Sequence, residues 1–160
     1  MYHSSQKIQT KAKALQRIAS WRVFGHRIVF SNGCFDLIHP GHIAYLEAAR
    51  QLGDRLVLGL NADISVKKLK GENRPVYNEQ ARAKILAAME FVDMVVIFEE
   101  ETPLALIRQV SPDILVKGGD YAVEEIVGYE WVKKTGGEVC TIPLLKDYST
   151  TSTIEKLRDN

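Results

Sequence analysis

Cysteine is nearly absent: Cys34 and Cys140 are the two in 160 residues. Two thiols so far apart make no framework of bridges, so they are read as reduced residues of a cytoplasmic protein. The opening residues, MYHSSQKIQTKAKALQRIASW, lack the continuous apolar core of a signal peptide. No stretch reaches the ~18–20 apolar residues of a membrane span. An excess of one charge is also missing. Lys and Arg total 21 against 20 Asp and Glu, a net charge of +1, which removes any general electrostatic case for nucleic acid or an anionic membrane. Neither an internal repeat, nor a low-complexity tract, nor a linker divides the chain. A single folded domain with a sizeable core is the expectation.

What is present is alternation. Residues 5–21 carry Ile8, Ala12, Leu15, Ile18 and Ala19 at near-helical spacing. They predict an amphipathic helix in an N-terminal segment, residues 1–24, packed on the domain or on a neighbouring subunit. Residues 25–160 form the domain proper. Within it RIVFSNG, RLVLGLN, DMVVIF, DILVKGG and EVCTIP are short apolar runs, as expected of parallel strands covered on both faces. The stretches HIAYLEAARQLG, EQARAKILAAMEFV, TPLALIRQV and VEEIVGYEWVKKTGG read as helices. The run ADISVKKLKGENRPVYN starts as helix and passes into a loop, and STTSTIEKLRD reads as a last helix. Strand and helix in turn predict an α/β fold, a single-domain doubly wound, Rossmann-like parallel five-stranded sheet. Ligands of such sheets bind beyond the carboxyl ends of the strands. The segments SNGCFDLIHPGH, NADISVKKLKGENRP, KGGDY and LLKDYSTTST should therefore meet along one rim.

The first of these places His39 and His42 three residues apart where a loop becomes a helix. Three chemistries are open to them. Zinc would suit Cys34, His39 and His42, but the remaining histidines, His3 and His26, lie in the N-terminal part and complete no set of four ligands. One histidine capping the helix while the other packs is the structural alternative. The third is phosphate binding. A helix N-terminus presents unpaired N–H groups and partial positive charge. Pro40 loses no hydrogen bond at that position, Gly41 allows backbone to approach a ligand, and both imidazoles can donate to phosphate oxygens. Such an arrangement stabilises charge in phosphoryl or nucleotidyl transfer.

Other rim residues have similar double readings. Lys67, Lys68 and Lys70 are either a solvated helix end or a clamp on a triphosphate. Arg74 and Arg82 are further phosphate candidates, although a surface salt bridge would equally explain Arg82. The five hydroxyl residues at 149–153 exceed what helix capping needs. Cys34 is a small buried filler rather than a nucleophile, since the chemistry requires no covalent step.

The segment NGCFDLIHPGHIAYLEAARQLGD resembles the signature of the HxGH nucleotidyltransferases. It is followed in order by NADISVKKLKGENRPV, ILAAMEFVDMVVIFEEETPLALI, PDILVKGGDY and STTSTI. Together, over about residues 25–157, these blocks are similar to the D-glycero-β-D-manno-heptose 1-phosphate adenylyltransferases of bacterial lipopolysaccharide-precursor synthesis, in the form without a fused sugar kinase. The resemblance implies AMP transfer from ATP to the sugar phosphate, with Mg²⁺ bound through the nucleotide phosphates and no metal ligands from the protein. It implies catalytic roles for His39, His42, Lys68 and Lys70. Nucleotide binding would fall to Asn32, Gly33, Cys34, Phe35, Gly41, Lys117, Gly118 and Asp120, with Ser149, Thr150 and Thr151. Asp36, Asn61, Asp63 and Arg82 would serve the acceptor. ATP and a sugar 1-phosphate are then the partners, without nucleic acid or membrane, in a possible homodimer or larger homo-oligomer. Two other functions stay in view, a cytidylyltransferase for a small phosphorylated alcohol such as glycerol 3-phosphate and a non-catalytic nucleotide-binding module. Leu144 and Leu145 stand where cytidylyltransferases often carry an Arg-Thr pair, which weakens the first of these.

Overall fold

The computed structural model describes residues 3–119 and 122–145. The expected last helix, with Ser149, Thr150 and Thr151, lies outside the described residues, as does Asp120.

Five parallel strands make one sheet: β1 (Ile28–Gly33), β2 (Arg55–Asn61), β3 (Met94–Phe98), β4 (Ile114–Gly118) and β5 (Glu138–Ile142). Their order is β3-β2-β1-β4-β5. The chain winds outward from β1 to β3, then returns past β1 to lay down β4, so the winding reverses between β1 and β4. This is the Rossmann-like doubly wound sheet the alternation predicts.

Residue parity along each strand builds two cores. Ile28 and Phe30 of β1 with Val57, Met94, Val96 and Leu115 form one. It is covered by α1 (Lys11–Val23), α5 (Leu104–Val110) and α6 (Tyr129–Lys134), through residues such as Ile18, Ile107 and Val132. Val29, Leu56, Leu58, Leu60, Val95 and Val116 form the other, beneath α2 (Pro40–Arg50) and α4 (Glu79–Ala88). Both faces exclude water, which is why the strands are continuously apolar rather than alternating. A short α3 (Asp63–Lys70) follows β2 and buries Ser65 and Val66. No helix among the described residues is long and apolar enough to cross a membrane.

Two predicted helices are divided. Residues 5–21 were expected as one, but a 3-10 turn, Ser4–Lys7, precedes α1. Between them Ile8 leaves the helical pattern and forms a parallel bridge to Val95, with Gln9 N donating to Val95 O at 3.0 Å. Sheet pairing outweighs the helical spacing there. Thr10 then starts α1 as its N-cap. The stretch VEEIVGYEWVKKTGG is likewise split into a 3-10 turn, Val123–Glu125, and α6, with Gly128 between them at φ +97°. A β-carbon at Gly128 would sit 2.9 Å from Ile107 Cδ1. The backbone comes so close to the core there that glycine breaks the helix.

Candidate active site

The central cleft follows from strand register. β1 pairs with β2 over six residues, Ile28 to Gly33, but with β4 only at Val29↔Ile114 and Phe30↔Leu115. Beyond Phe30 the two strands part, and a cavity of about 410 Å³ opens at the point where the winding reverses. All four rim segments reach it: Asn32 and Phe35 from the first, Asn61 and Lys70 from the second, Lys117 and Gly118 from the third, Leu144 from the fourth.

Tyr45 stands in the fork. Its hydroxyl lies 2.7 Å from Ser31 Oγ and donates to Val116 O at 3.1 Å, so one phenol joins β1 and β4 where their ladder has ended. Burial pushes this hydroxyl far above the usual tyrosine range, and it acts as a fixed neutral strut. Gly118 lies beside it. A β-carbon there would meet Leu144 Cδ2 at 2.7 Å and the Tyr45 ring at 3.3 Å, so a larger residue would push Leu144 out of the cavity wall.

The histidine pair opens α2. His39 is its N-cap in extended conformation, Pro40 follows as the first helical residue, and His42 N donates to His39 O at 2.9 Å. The two imidazoles lie with centroids 3.8 Å apart and planes inclined by 33°. Phe35 meets His42 edge-on at 5.7 Å. Phe35 is itself held at φ 44°, a strained setting for a bulky residue, and is kept there by burial. His42 Nδ1 is buried and has no hydrogen-bond partner among the described residues. Desolvation, then the neighbouring His39 and Lys70, bring the His42 pKa down to about 4; desolvation also lowers that of His39. Both rings are therefore neutral near pH 7, beside the positive charge of Lys70, which an anion in the cleft would offset.

The lysines separate. Lys70, at the last position of α3, lines the cavity, whereas Lys68 does not, and its exposed Nζ lies 3.6 Å from Glu101 at the cavity rim. On the opposite wall Lys117 is held by β4 and donates to Asn32 O at 3.2 Å, its pKa lowered by burial. Gly33 and Cys34 complete the β1 rim. Burial raises the Cys34 thiol pKa, which keeps it protonated and fits a filler. Gly41 is buried in the first turn of α2.

Of the four residues expected at the acceptor, Asp36 and Asn61 line the cavity, and Asp36, Asp63 and Arg82 also hold loops. Asp36, almost fully buried, accepts from Val76 N at 2.7 Å and Tyr77 N at 3.2 Å and pairs with Arg74 Nε at 2.6 Å. It thereby ties the segment after α3 to the loop after β1. Arg82 lies behind the cavity wall, not in it. Its side chain is fully buried and donates to Tyr77 O, Cys34 O, Asn61 O and Asp63 Oδ1, so every nitrogen is engaged by protein. An arginine within an amphipathic helix gives no sign of this from sequence. Asn61 lines the cavity and donates to Ser65 Oγ at 2.8 Å, while Asp63 is taken up by Arg82.

Several lining residues went unread: Tyr45, Leu69, Glu101, Pro103 and the wall-forming role of Leu144. Tyr45 alone carried a signal, one helical turn beyond His42 on the same face. Among the described residues no group of three or more His, Cys, Asp or Glu is placed to hold a metal ion.

Similarity to known proteins can be set against this geometry. A family model described as cytidylyltransferase-like matches residues 30–156. The bifunctional protein HldE of Rhodopseudomonas palustris (strain HaA2) is 58% identical over 143 residues, covering 89% of this chain and 29% of the relative. HldE of Magnetococcus marinus is 52% identical over 156 residues, covering 98% of this chain and 32% of the relative. The chain thus spans about three tenths of the length of these curated relatives. Among solved structures, a lipopolysaccharide core biosynthesis protein from Thermoplasma volcanium superposes with a TM-score of 0.61 at 29% identity, over 78% of this chain and 100% of that one. Matched over most of its length by one family model, and carrying paired histidines at the fork of its sheet, the chain belongs to the cytidylyltransferase-like family.

Proposed function

We propose that this chain transfers AMP from ATP to D-glycero-β-D-manno-heptose 1-phosphate in the cytoplasm, giving ADP-heptose and pyrophosphate for lipopolysaccharide-precursor synthesis. The observation that carries the reading is the stacked His39–His42 pair on the first turn of α2, beside a cleft lined by Lys70 and Lys117. The likeness to bifunctional HldE and to a lipopolysaccharide core biosynthesis protein supports the choice of acceptor.

The sugar phosphate oxygen is ionised at neutral pH, so no protein base is needed. It attacks the α-phosphorus in line with the departing pyrophosphate. Charge then builds on the α- and β-phosphate oxygens. His42 and His39 donate to it from the helix N-terminus, and Lys70 neutralises it from α3. Lys68 adds charge nearby after exchanging its contact with Glu101. The Asp36 and Asp63 carboxylates are engaged by Arg74 and Arg82. This donor set fits Mg²⁺ held by phosphates and water, not by a carboxylate cage. When bound, the ion supplies additional neutralisation of the phosphates. Leu144, in the cavity wall, offers no charged partner for a cytosine edge.

Pyrophosphate release should be measured with ATP, CTP, GTP and UTP against heptose 1-phosphate. ATP should be preferred. A preference for CTP would move the assignment to a cytidylyltransferase, and nucleotide binding without pyrophosphate under any acceptor would make this a binding module.

A further inference from the structure

The cleft continues through the fork of the sheet. A second cavity of about 200 Å³ adjoins the first, and Asn32, Pro103 and Lys117 line both. Glu125, Ile126 and Val127 form its remaining walls.

Strand parity separates the two lobes. Val29 of β1 belongs to the core under α2, and Ile28 and Phe30 to the opposite one. Ser31 therefore turns towards α2, where its hydroxyl meets Tyr45, and Asn32 turns away. On β4, Val116 belongs to the α2 core and Leu115 to the other, so Lys117 also turns away. His42 and Tyr45 thus face the cleft from one side of the sheet, Asn32 and Lys117 from the other.

In-line displacement requires the nucleophile and the leaving group on opposite sides of phosphorus. With pyrophosphate on the α2 side, near His42 and Lys70, the incoming oxygen arrives from the side of Lys117. Whatever carries that oxygen must then extend into the second lobe. The lobe has the chemistry for a sugar. Ile126, Val127 and Pro103 offer aliphatic surface to a C–H face, and the exposed Glu125 offers a carboxylate to accept from hydroxyls. Its wall is already formed. Ile126 is buried in the core, its N–H donates to Val123 O at 3.2 Å, and Gly128 fits closely against Ile107. Val127 remains 42% exposed.

We infer that this second lobe is the acceptor subsite, with Lys117 receiving the sugar phosphate and Glu125, Ile126 and Val127 contacting the sugar. The inference rests on the adenylyltransferase reading and adds residues to it. Asp63 and Arg82, which line neither cavity, then serve the acceptor only through the loops they hold.

Val127→Trp fills the lobe from an exposed position, and Glu125→Gln removes the acceptor charge without changing shape. Binding of heptose 1-phosphate should be titrated calorimetrically in the presence of a non-hydrolysable ATP analogue, alongside turnover, with circular dichroism on each variant. Both variants should weaken sugar phosphate binding, by about tenfold or more, while affinity for the analogue alone stays within about twofold, the scale of one lost charged hydrogen bond or one blocked contact. If the analogue's affinity falls instead, the lobe holds the nucleobase; if neither affinity changes, it holds nothing. Either result overturns the inference while wild-type turnover leaves the reaction standing. A wild-type protein that neither binds nor converts heptose 1-phosphate overturns both together.

Discussion

The Arg82 guanidinium stands 2.6 Å from the Asp63 carboxylate, and its other nitrogens reach the carbonyls of Cys34, Asn61 and Tyr77. One buried cation therefore joins the loop after β1, the end of β2, the start of α3 and the approach to α4. Arg82→Met keeps most of the volume and strips all these contacts. Removing one partner of such a network costs on the order of 3 kcal/mol. The urea midpoint should fall accordingly, and turnover should fall with it because Cys34 and Asn61 lose their anchor. A variant with unchanged midpoint would show that the network carries no stability.

Catalysis should depend on the imidazoles without the fold doing so. His42→Ala is expected to reduce turnover by ~100-fold or more, the effect of removing one donor to a developing anion. Near-wild-type rates from a folded variant would refute the role given to the pair.

The two lysines should behave unequally. Lys70 lines the cleft, whereas Lys68 does not and lies against Glu101 at its rim. Losing a charge-assisted hydrogen bond of about 1.5–3 kcal/mol predicts roughly a 10- to 100-fold lower kcat/KM for ATP in Lys70→Ala. Lys68→Ala should lose only a few-fold. Steady-state kinetics on the two variants decides, and the reverse ranking would mean that α3 rotates when nucleotide enters.

Acid should weaken the fold through His42. Its pKa lies at about 4 in the folded protein, below the ordinary 6.5, mainly because the ring is desolvated. Between those values the unfolded chain binds a proton that the folded chain does not, so stability falls as pH drops through that window. His42→Asn should lessen the loss in urea midpoint between pH 7 and pH 5. Bound triphosphate favours the charged ring, so nucleotide binding at pH 6 should take up protons, measurable by calorimetry in two buffers of different ionisation enthalpy.

Tyr45→Phe isolates the strut between β1 and β4. It leaves Val116 O without its donor and Ser31 Oγ without its partner, at a cost of about 1–2 kcal/mol. At this chain length that corresponds to a Tm lower by roughly 2–8 °C. An unchanged Tm would mean that water replaces the phenol at no cost.

The architecture was legible because both faces of the sheet are buried, which leaves apolar runs of strand length between helical periods. The histidine pair was legible because Pro40 and Gly41 mark a helix start. Ile8 was misread because its spacing suits a helix equally well, and only the free edge of β3 draws it into a bridge to Val95. Arg82 was misread because a charged residue in an amphipathic helix is ordinarily solvated. Its burial depends on three carbonyls that converge only once distant loops have folded. That Lys70 lines the cleft and Lys68 does not depends on where α3 stops, which lysine spacing does not specify.

The opening at the heart of the molecule is made by main chains diverging, not by small side chains leaving a hole. Replacing the residues that border it alters the shape and polarity of what can enter, but the opening itself persists as long as β1 and β4 hold at Val29 and Phe30. Selectivity can therefore be redesigned at Val127 or Leu144 on a foundation that neither position supports.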